Sequence, residues 1–300
     1  MAQKNRKNTL RNLGVSEAMR RQVVQLDQAK SINHGISVLI KHKINAVLVV
    51  DSAGRPVGVV SKTDIMGAYY AGLPIESPLE HIMVTPPLFC YSGDSLETAL
   101  EQMRESGVYR LYVIEKEEEN IVGALAYPDI VGLLYQYCHQ CEYSHLLGGS
   151  RSGQNDPVRR FTVREVMTAS VKGIGMNETL NTVMETLSAY RFGAMLVIGD
   201  RGLPRGVISK TDLALSYRHG VDPEVAVATV MSSPVSTCDV GLLLEEAIKK
   251  MTIADIHRLF VHEEEPDNIV GVLSLTDAAR IRSGSCYACV SSRIKVNEND

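Results

Sequence analysis

The stretch Gly206–Val207–Ile208–Ser209–Lys210–Thr211–Asp212 occurs in four versions, and their spacing limits the fold more than any other feature of the chain. The other three are Gly58–Val59–Val60–Ser61–Lys62–Thr63–Asp64, Gly123–Ala124–Leu125–Ala126–Tyr127–Pro128–Asp129 and Gly271–Val272–Leu273–Ser274–Leu275–Thr276–Asp277. Asp64 and Asp212 are 148 residues apart, as are Asp129 and Asp277, and within each half the two acids are 65 apart. The register holds between the halves: Val15 falls on Val163, Met19 on Met167, Pro56 on Pro204 and Met83 on Met231. Each half is therefore itself a tandem pair. A unit of roughly 60 residues has little core of its own, so four such units must bury their faces on one another.

Periodicity fills in the units. Ile32, Gly35, Ile36 and Leu39 keep the i, i+3, i+4, i+7 spacing of one buried helical face. Leu96, Ala99, Leu100 and Met103 repeat it, as do Leu180, Val183, Met184 and Leu187, and Leu244, Ala247, Ile248 and Met251. A short apolar strand follows each helix, at 47–50, 111–114, 195–198 and 259–261. A turn rich in Gly, Pro or charge comes next, and then the motif. Each unit is expected to run strand, helix, strand, strand, helix, giving a mixed α/β (α+β) fold of four βαββα repeats.

The boundaries follow from composition. Residues 1–14 carry Lys4, Arg6, Lys7 and Arg11 with no acid and read as a basic, flexible tail or a docking arm. Residues 15–146 form the first half, with units at about 15–75 and 79–140. Residues 147–160, small and polar with Gly148, Gly149, Ser150, Ser152 and Gly153, read as a linker. Residues 161–291 form the second half, with units at about 161–222 and 227–290, and 292–300 are a tail. An apolar share of 45% permits full cores, and a net charge of −4 argues against a general nucleic-acid surface. Nothing approaches the ~20 apolar residues of a membrane helix, so a cytoplasmic protein is expected.

The motif delivers a hydroxyl and a carboxylate to the first turn of a helix, where unpaired N–H groups and the positive dipole end favour anions. A carboxylate can accept from both hydroxyls of a vicinal diol, and arginine donates strongly to phosphate. The same acids could simply cap their helices. Lys62 and Lys210 stand where either phosphate or water could claim them, and Arg110 and Arg258 could be surface ion-pair partners. Met83, Val84, Met231 and Val235 are candidate apolar walls for a planar base.

A fourfold strand–helix–strand–strand–helix unit with Gly-apolar-x-Ser/Thr-x-x-Asp before its last helix resembles the cystathionine-β-synthase (CBS) domain. Two such units make a Bateman module, and the chain resembles two modules in tandem. The resemblance implies clefts between paired units that bind an adenosine-containing ligand (AMP, ADP, ATP or S-adenosylmethionine) and regulate a partner protein. It places Ser61, Thr63 and Asp64, Ser209, Thr211 and Asp212, and Ser274, Thr276 and Asp277 at ribose or phosphate. The second unit keeps Asp129 but has Ala126 for the hydroxyl and Pro128 beside it. Ile256–His257–Arg258–Leu259 in the fourth unit is similar to the nucleotide-sensing γ subunit of the AMP-activated kinase, which puts His257 and Arg258 near phosphate. Arg110 is their counterpart in the second unit.

Cys138 and Cys141 follow Asp129 by nine and twelve residues, and Cys286 and Cys289 follow Asp277 by the same intervals. Two Cys-x-x-Cys elements can supply four thiolates to zinc or an iron–sulfur centre, with His139 and His145 as alternative ligands. Duplication of an ancestral module with plain thiols, or reversible redox pairing, accounts for the pattern equally. A metal- or redox-responsive scaffold is thus the rival to the sensor reading. Cys90 and Cys238, also 148 apart, read as small core residues. No nucleophile elbow or phosphate-cradling Gly-rich loop occurs, so an enzyme is not expected. A homodimer would be a second way to bring two modules together.

Overall fold

Short parallel strand pairs need a helical crossover, and antiparallel pairs close through a turn; the chain uses one of each in every unit. A computed structural model describes residues 13–116, 120–140 and 161–280. The first unit holds α1 (Val15–Ala18), β1 (Gln25–Asp27), α2 (Ile32–Lys41), β2 (Ala46–Val50), β3 (Pro56–Ser61) and α3 (Lys62–Tyr70). The second opens with a 3₁₀ turn at Leu79–His81, then β4 (Phe89–Tyr91), α4 (Leu96–Glu105), β5 (Arg110–Ile114), β6 (Ile121–Ala126) and α5 (Tyr127–Gln140). The third has α6 (Val163–Val166), β7 (Gly173–Gly175), α7 (Leu180–Ala189), β8 (Ala194–Ile198), β9 (Pro204–Ser209) and α8 (Lys210–Arg218). The fourth has a 3₁₀ turn at Val227–Thr229, β10 (Thr237–Asp239), α9 (Leu244–Ile253), β11 (Arg258–His262), β12 (Ile269–Ser274) and α10 (Leu275–Arg280). Among the described residues there are four three-stranded sheets, each with its first strand parallel and its third antiparallel to the central one. The expected mixed α/β architecture is the one observed.

The helical faces read from periodicity are the ones buried, except that Leu100 of α4 is only half-buried at the edge of its core. In α2 they are Ile32, Gly35, Ile36 and Leu39, and in α7 Leu180, Val183, Met184 and Leu187. Each such side chain contributes about 1.5–3 kcal/mol when fully buried. Ser31, Ser95 and Thr179 cap α2, α4 and α7 by accepting a backbone N–H two or three residues into the helix. The fourth unit has Leu243 there and no side-chain cap.

Two features go beyond the sequence. The segment that opens each unit packs on the neighbouring unit, not on its own. Leu13 is 1% exposed and its carbonyl accepts from Leu96 N, so the end of the stretch expected to be tail is packed into the fold. Met19 sits against Gly123 and Met83 against Gly58, and in the second half Met167 against Gly271 and Met231 against Gly206. The residue after each methionine makes a reciprocal pair of backbone bonds with the residue after each glycine: Arg20 with Ala124, Val84 with Val59, Thr168 with Val272 and Ser232 with Val207. Every sheet thus gains a short fourth rung from the adjacent unit.

The cores, secondly, run across the halves. One joins the first and third units and the other the second and fourth. Tyr69 and Tyr217 stack with ring centroids 5.0 Å apart at the α3–α8 contact. Their hydroxyls donate to Val221 O and Leu73 O, each at 2.6 Å. A smaller cluster of Leu48, Tyr112 and Ala124 joins the first sheet to the second.

Candidate functional site

Each motif acid sits at the third position of its helix and serves that helix with one oxygen. Asp64 Oδ2 accepts from Ser61 N and Ser61 Oγ, both at 2.7 Å. Asp212 Oδ2 accepts from Ser209 N at 2.8 Å and Ser209 Oγ at 2.5 Å, and Asp277 Oδ2 from Ser274 N at 2.9 Å and Ser274 Oγ at 2.6 Å. Asp129 Oδ2 accepts only from Ala126 N, at 2.9 Å, because Ala126 has no hydroxyl to add. The helix-cap account is therefore correct as far as Oδ2 goes. All four acids remain partly buried beside strand ends.

The other oxygen separates the four seats. Asp64 Oδ1 and Asp277 Oδ1 accept no hydrogen bond from any described residue. Asp212 Oδ1 accepts from Ser232 Oγ at 2.8 Å. Asp129 Oδ1 is taken by the Arg20 guanidinium, with the carboxylate side chain 6% exposed and the arginine 61%. Arg20 and Ser232 are the residues that follow the inserted methionines, so this difference traces to the exchange between units. Val84 and Thr168 hold the same place before Asp64 and Asp277. Sequence inspection missed Arg20, because an ion pair between residues 109 apart leaves no periodic trace.

Between the halves the motif cations cross. Lys62 Nζ donates to Thr211 Oγ1 at 2.9 Å and Lys210 Nζ to Thr63 Oγ1 at 2.8 Å. Sequence left phosphate or water open as partners for the two lysines, and here each meets the threonine of the opposite motif. Burial lowers the pKa of both ammonium groups, partly offset by Asp212 near Lys62 and Asp64 near Lys210. Burial likewise raises the Asp64 carboxyl above its ordinary value. Thr276, the counterpart in the fourth unit, is half-buried in the first turn of α10.

Arg110 and Arg258 are not surface ion-pair partners. Arg110 Nη1 donates to Ala46 O at 2.9 Å and Arg258 Nη1 to Ala194 O at 3.1 Å, each reaching from one unit to the central strand of the one before. Arg258 is sensitive to the Asp277 carboxylate, which partly counters the burial that lowers its pKa. His257 keeps an exposed edge, yet lost hydration and the neighbouring Lys62 charge hold its pKa below the ordinary value. Its ring lies 6.4 Å from Tyr109, centroid to centroid. The structure therefore gathers Lys62, Lys210, His257 and Arg258 from three units near Thr63, Thr211, Asp64 and Asp277.

Of the apolar candidates, Met83 and Met231 are spent on Gly58 and Gly206, while Val84 is exposed. A cavity of about 440 Å³ lined by Cys238, Asp239, Glu246, Lys249, Lys250 and His262, among others, lies elsewhere and no motif residue lines it. Cys90 and Cys238 are buried as expected, and burial pushes their thiols up to about 12 and about 11. Cys138 falls in the last turn of α5, and Cys141, Cys286 and Cys289 lie outside the described residues. No group of three or more metal-ligating side chains occurs among the described residues. Nor is any described helix long and apolar enough to cross a membrane.

Comparison with known proteins bears on the family and the fold. The family model of the CBS domain matches residues 15–71, 79–135, 163–218 and 227–284. CBS domain-containing protein YhcV of Bacillus subtilis is 28% identical over 119 residues, 39% of this chain and 83% of that protein. Protein MJ1225 from Methanocaldococcus jannaschii, a candidate archaeal homologue of the γ subunit of AMPK, superimposes with a TM-score of 0.72 at 17% identity, covering 89% of this chain and 99% of that one. A conserved protein from Pyrococcus horikoshii does so with a TM-score of 0.58 at 19% identity, over 90% and 99%. At these identities the two structures establish a shared fold, four units included. With four matched segments that together span more than half of its length, each containing one of the four motifs, this chain belongs to the CBS-domain family.

Proposed function

We propose that the chain is a regulatory module that binds an adenosine-containing ligand, AMP, ADP, ATP or S-adenosylmethionine, and signals its level to a partner protein. The observation that carries this reading is the Oδ1 of Asp64 and of Asp277, to which no described residue donates: each stands at the first turn of a helix and has a cation nearby, Lys210 of the third unit at Asp64 and Arg258 of its own unit at Asp277. A ribose diol donates to this oxygen while the nearby cation and the helix N-terminus meet phosphate. Ser61 and Ser274 hold the carboxylates in place through Oδ2, so the seat is formed before the ligand arrives. The Lys210–Thr63 bond lies beside Asp64 and the Lys62–Thr211 bond beside Asp212. A ligand phosphate that drew either lysine away would loosen the contact between the halves, and such a difference in affinity between two states is what regulation requires.

Calorimetric titration with AMP, ATP and S-adenosylmethionine tests the reading. Binding in the micromolar range by at least one of them is expected, and weaker binding in Asp277→Ala than in Asp129→Ala. No heat with any of the three rules the sensor out.

A further inference from the structure

The four seats differ at one repeated place, the residue after the inserted methionine. Its backbone bonds are the same in every unit, but its side chain is Arg20, Val84, Thr168 or Ser232. Where that side chain is Arg20 or Ser232 it donates to the outward oxygen of the acid it faces, Asp129 or Asp212, and Val84 and Thr168 hold the equivalent backbone place before Asp64 and Asp277. Only Arg20 brings a charge. Its guanidinium donates to Asp129 Oδ1 from a largely exposed stem, while the carboxylate beneath it is nearly sealed from solvent.

Resting on the nucleotide reading above, we propose that Arg20 is a built-in occupant of the second seat and that this inserted residue decides which seats of the chain accept a nucleotide. Arginine has donors only, so at Asp129 it fills the acceptor that a ribose diol would need. The bond is charge-assisted and made within the chain, so no entropy of association opposes it, whereas a diffusing ligand has to displace it. Two further changes fit a seat given over to arginine. Ala126 withdraws the hydroxyl that Ser61, Ser209 and Ser274 supply, and Pro128 removes a backbone N–H from the first turn of α5. Ser232 at Asp212 is an intermediate case, since a neutral hydroxyl can exchange for that of a ribose at little cost. Val84 has no polar atom, and the Thr168 hydroxyl makes no bond to Asp277, so the first and fourth seats stay open.

The test moves the arginine. Arg20→Ser and Val84→Arg each alter a side chain that is largely exposed and leave the paired backbone intact. Both proteins, and the unchanged chain, are titrated with AMP and with ATP by calorimetry, with stoichiometry as the readout. Arg20→Ser is expected to take up one more equivalent than the unchanged chain and Val84→Arg one fewer. Equal stoichiometry in all three, with binding intact, overturns the proposal and leaves the nucleotide reading standing. Weaker binding in Arg20→Ser also overturns it, because Arg20 would then be a ligand of the nucleotide. No binding by any of the three overturns the proposal together with the reading beneath it.

Discussion

A single carboxylate does two jobs here, and the oxygens divide them. Oδ2 of Asp277 closes a helix N-terminus and Oδ1 faces outward, so Asp277→Ala removes both a cap and a ligand bond. A hydrogen bond to a charged group contributes about 1.5–3 kcal/mol, which converts to an affinity loss of roughly ten- to a hundredfold. Asp129→Ala is expected to change affinity less than about twofold, because Arg20 already holds that oxygen. Titration of both variants checks the ranking, and an equal loss in the two would refute it. The buried thiols give a second prediction at this scale. Cys90 and Cys238 are pushed up to about 12 and about 11, from 9.0 for a free thiol. Above pH 9 the unfolded chain releases these protons and the folded chain keeps them, so the unfolded state binds fewer protons and stability falls as pH rises. Each thiol contributes a loss of about 1.4 kcal/mol per pH unit in the window from roughly 9 to 11. Urea denaturation at pH 8, 9 and 10 is expected to show a flatter decline in a Cys90→Ala, Cys238→Ala double variant.

At the scale of elements, the motif glycine is explained by the neighbour's methionine and not by backbone conformation. A Cβ on Gly58 would stand 2.8 Å from Met83 Sδ, and its three nearest atoms all belong to that side chain. A Cβ on Gly206 would stand 2.7 Å from Ser232 O, which is backbone, as well as 2.8 Å from Met231 Sδ. Either alanine should cost about 1–3 kcal/mol through overpacking. The difference appears in a double-mutant cycle. Met83→Ala should relieve much of the Gly58→Ala penalty, whereas Met231→Ala should leave the Gly206→Ala penalty nearly whole, since a carbonyl cannot be trimmed. Chemical denaturation of the six variants and the unchanged chain checks this, and equal coupling in both cycles would sink it. The same contacts mark what the sequence could reveal. The buried faces of α2, α4, α7 and α9 recur every three to four residues and are legible at sight. So are the four acids, with their hydroxyls in three of the four cases. The exchanged segments, and Arg20 with them, join residues in different units, and such pairings have no period. The cysteine pairs were legible as a repeat only, and what lies between them in space falls outside the described residues.

Across the whole molecule the two halves meet as near copies of one another. Lys62 to Thr211 and Lys210 to Thr63 are one contact made twice, and so are Tyr69 to Val221 and Tyr217 to Leu73. A surface that pairs with its own duplicate is isologous in all but chain connectivity. It follows that residues 1–146 made alone retain both sides of each bond: Lys62 can reach Thr63 of a second copy, and Tyr69 can stack on its own counterpart. The fragment also bares Ile65, Met66, Tyr69, Ile130 and Val131, which the full chain buries within cores shared by both halves. An exposed apolar face of that kind, beside a self-complementary polar pattern, favours pairing over a stable monomer. Sedimentation of the fragment at tens of micromolar is expected to give a dimer, and Lys62→Ala with Tyr69→Ala to shift it toward monomer. A fragment that sediments as a monomer and still unfolds cooperatively would show that each half completes its core unaided, and that the contact between the halves in the full chain holds them together without stabilising either.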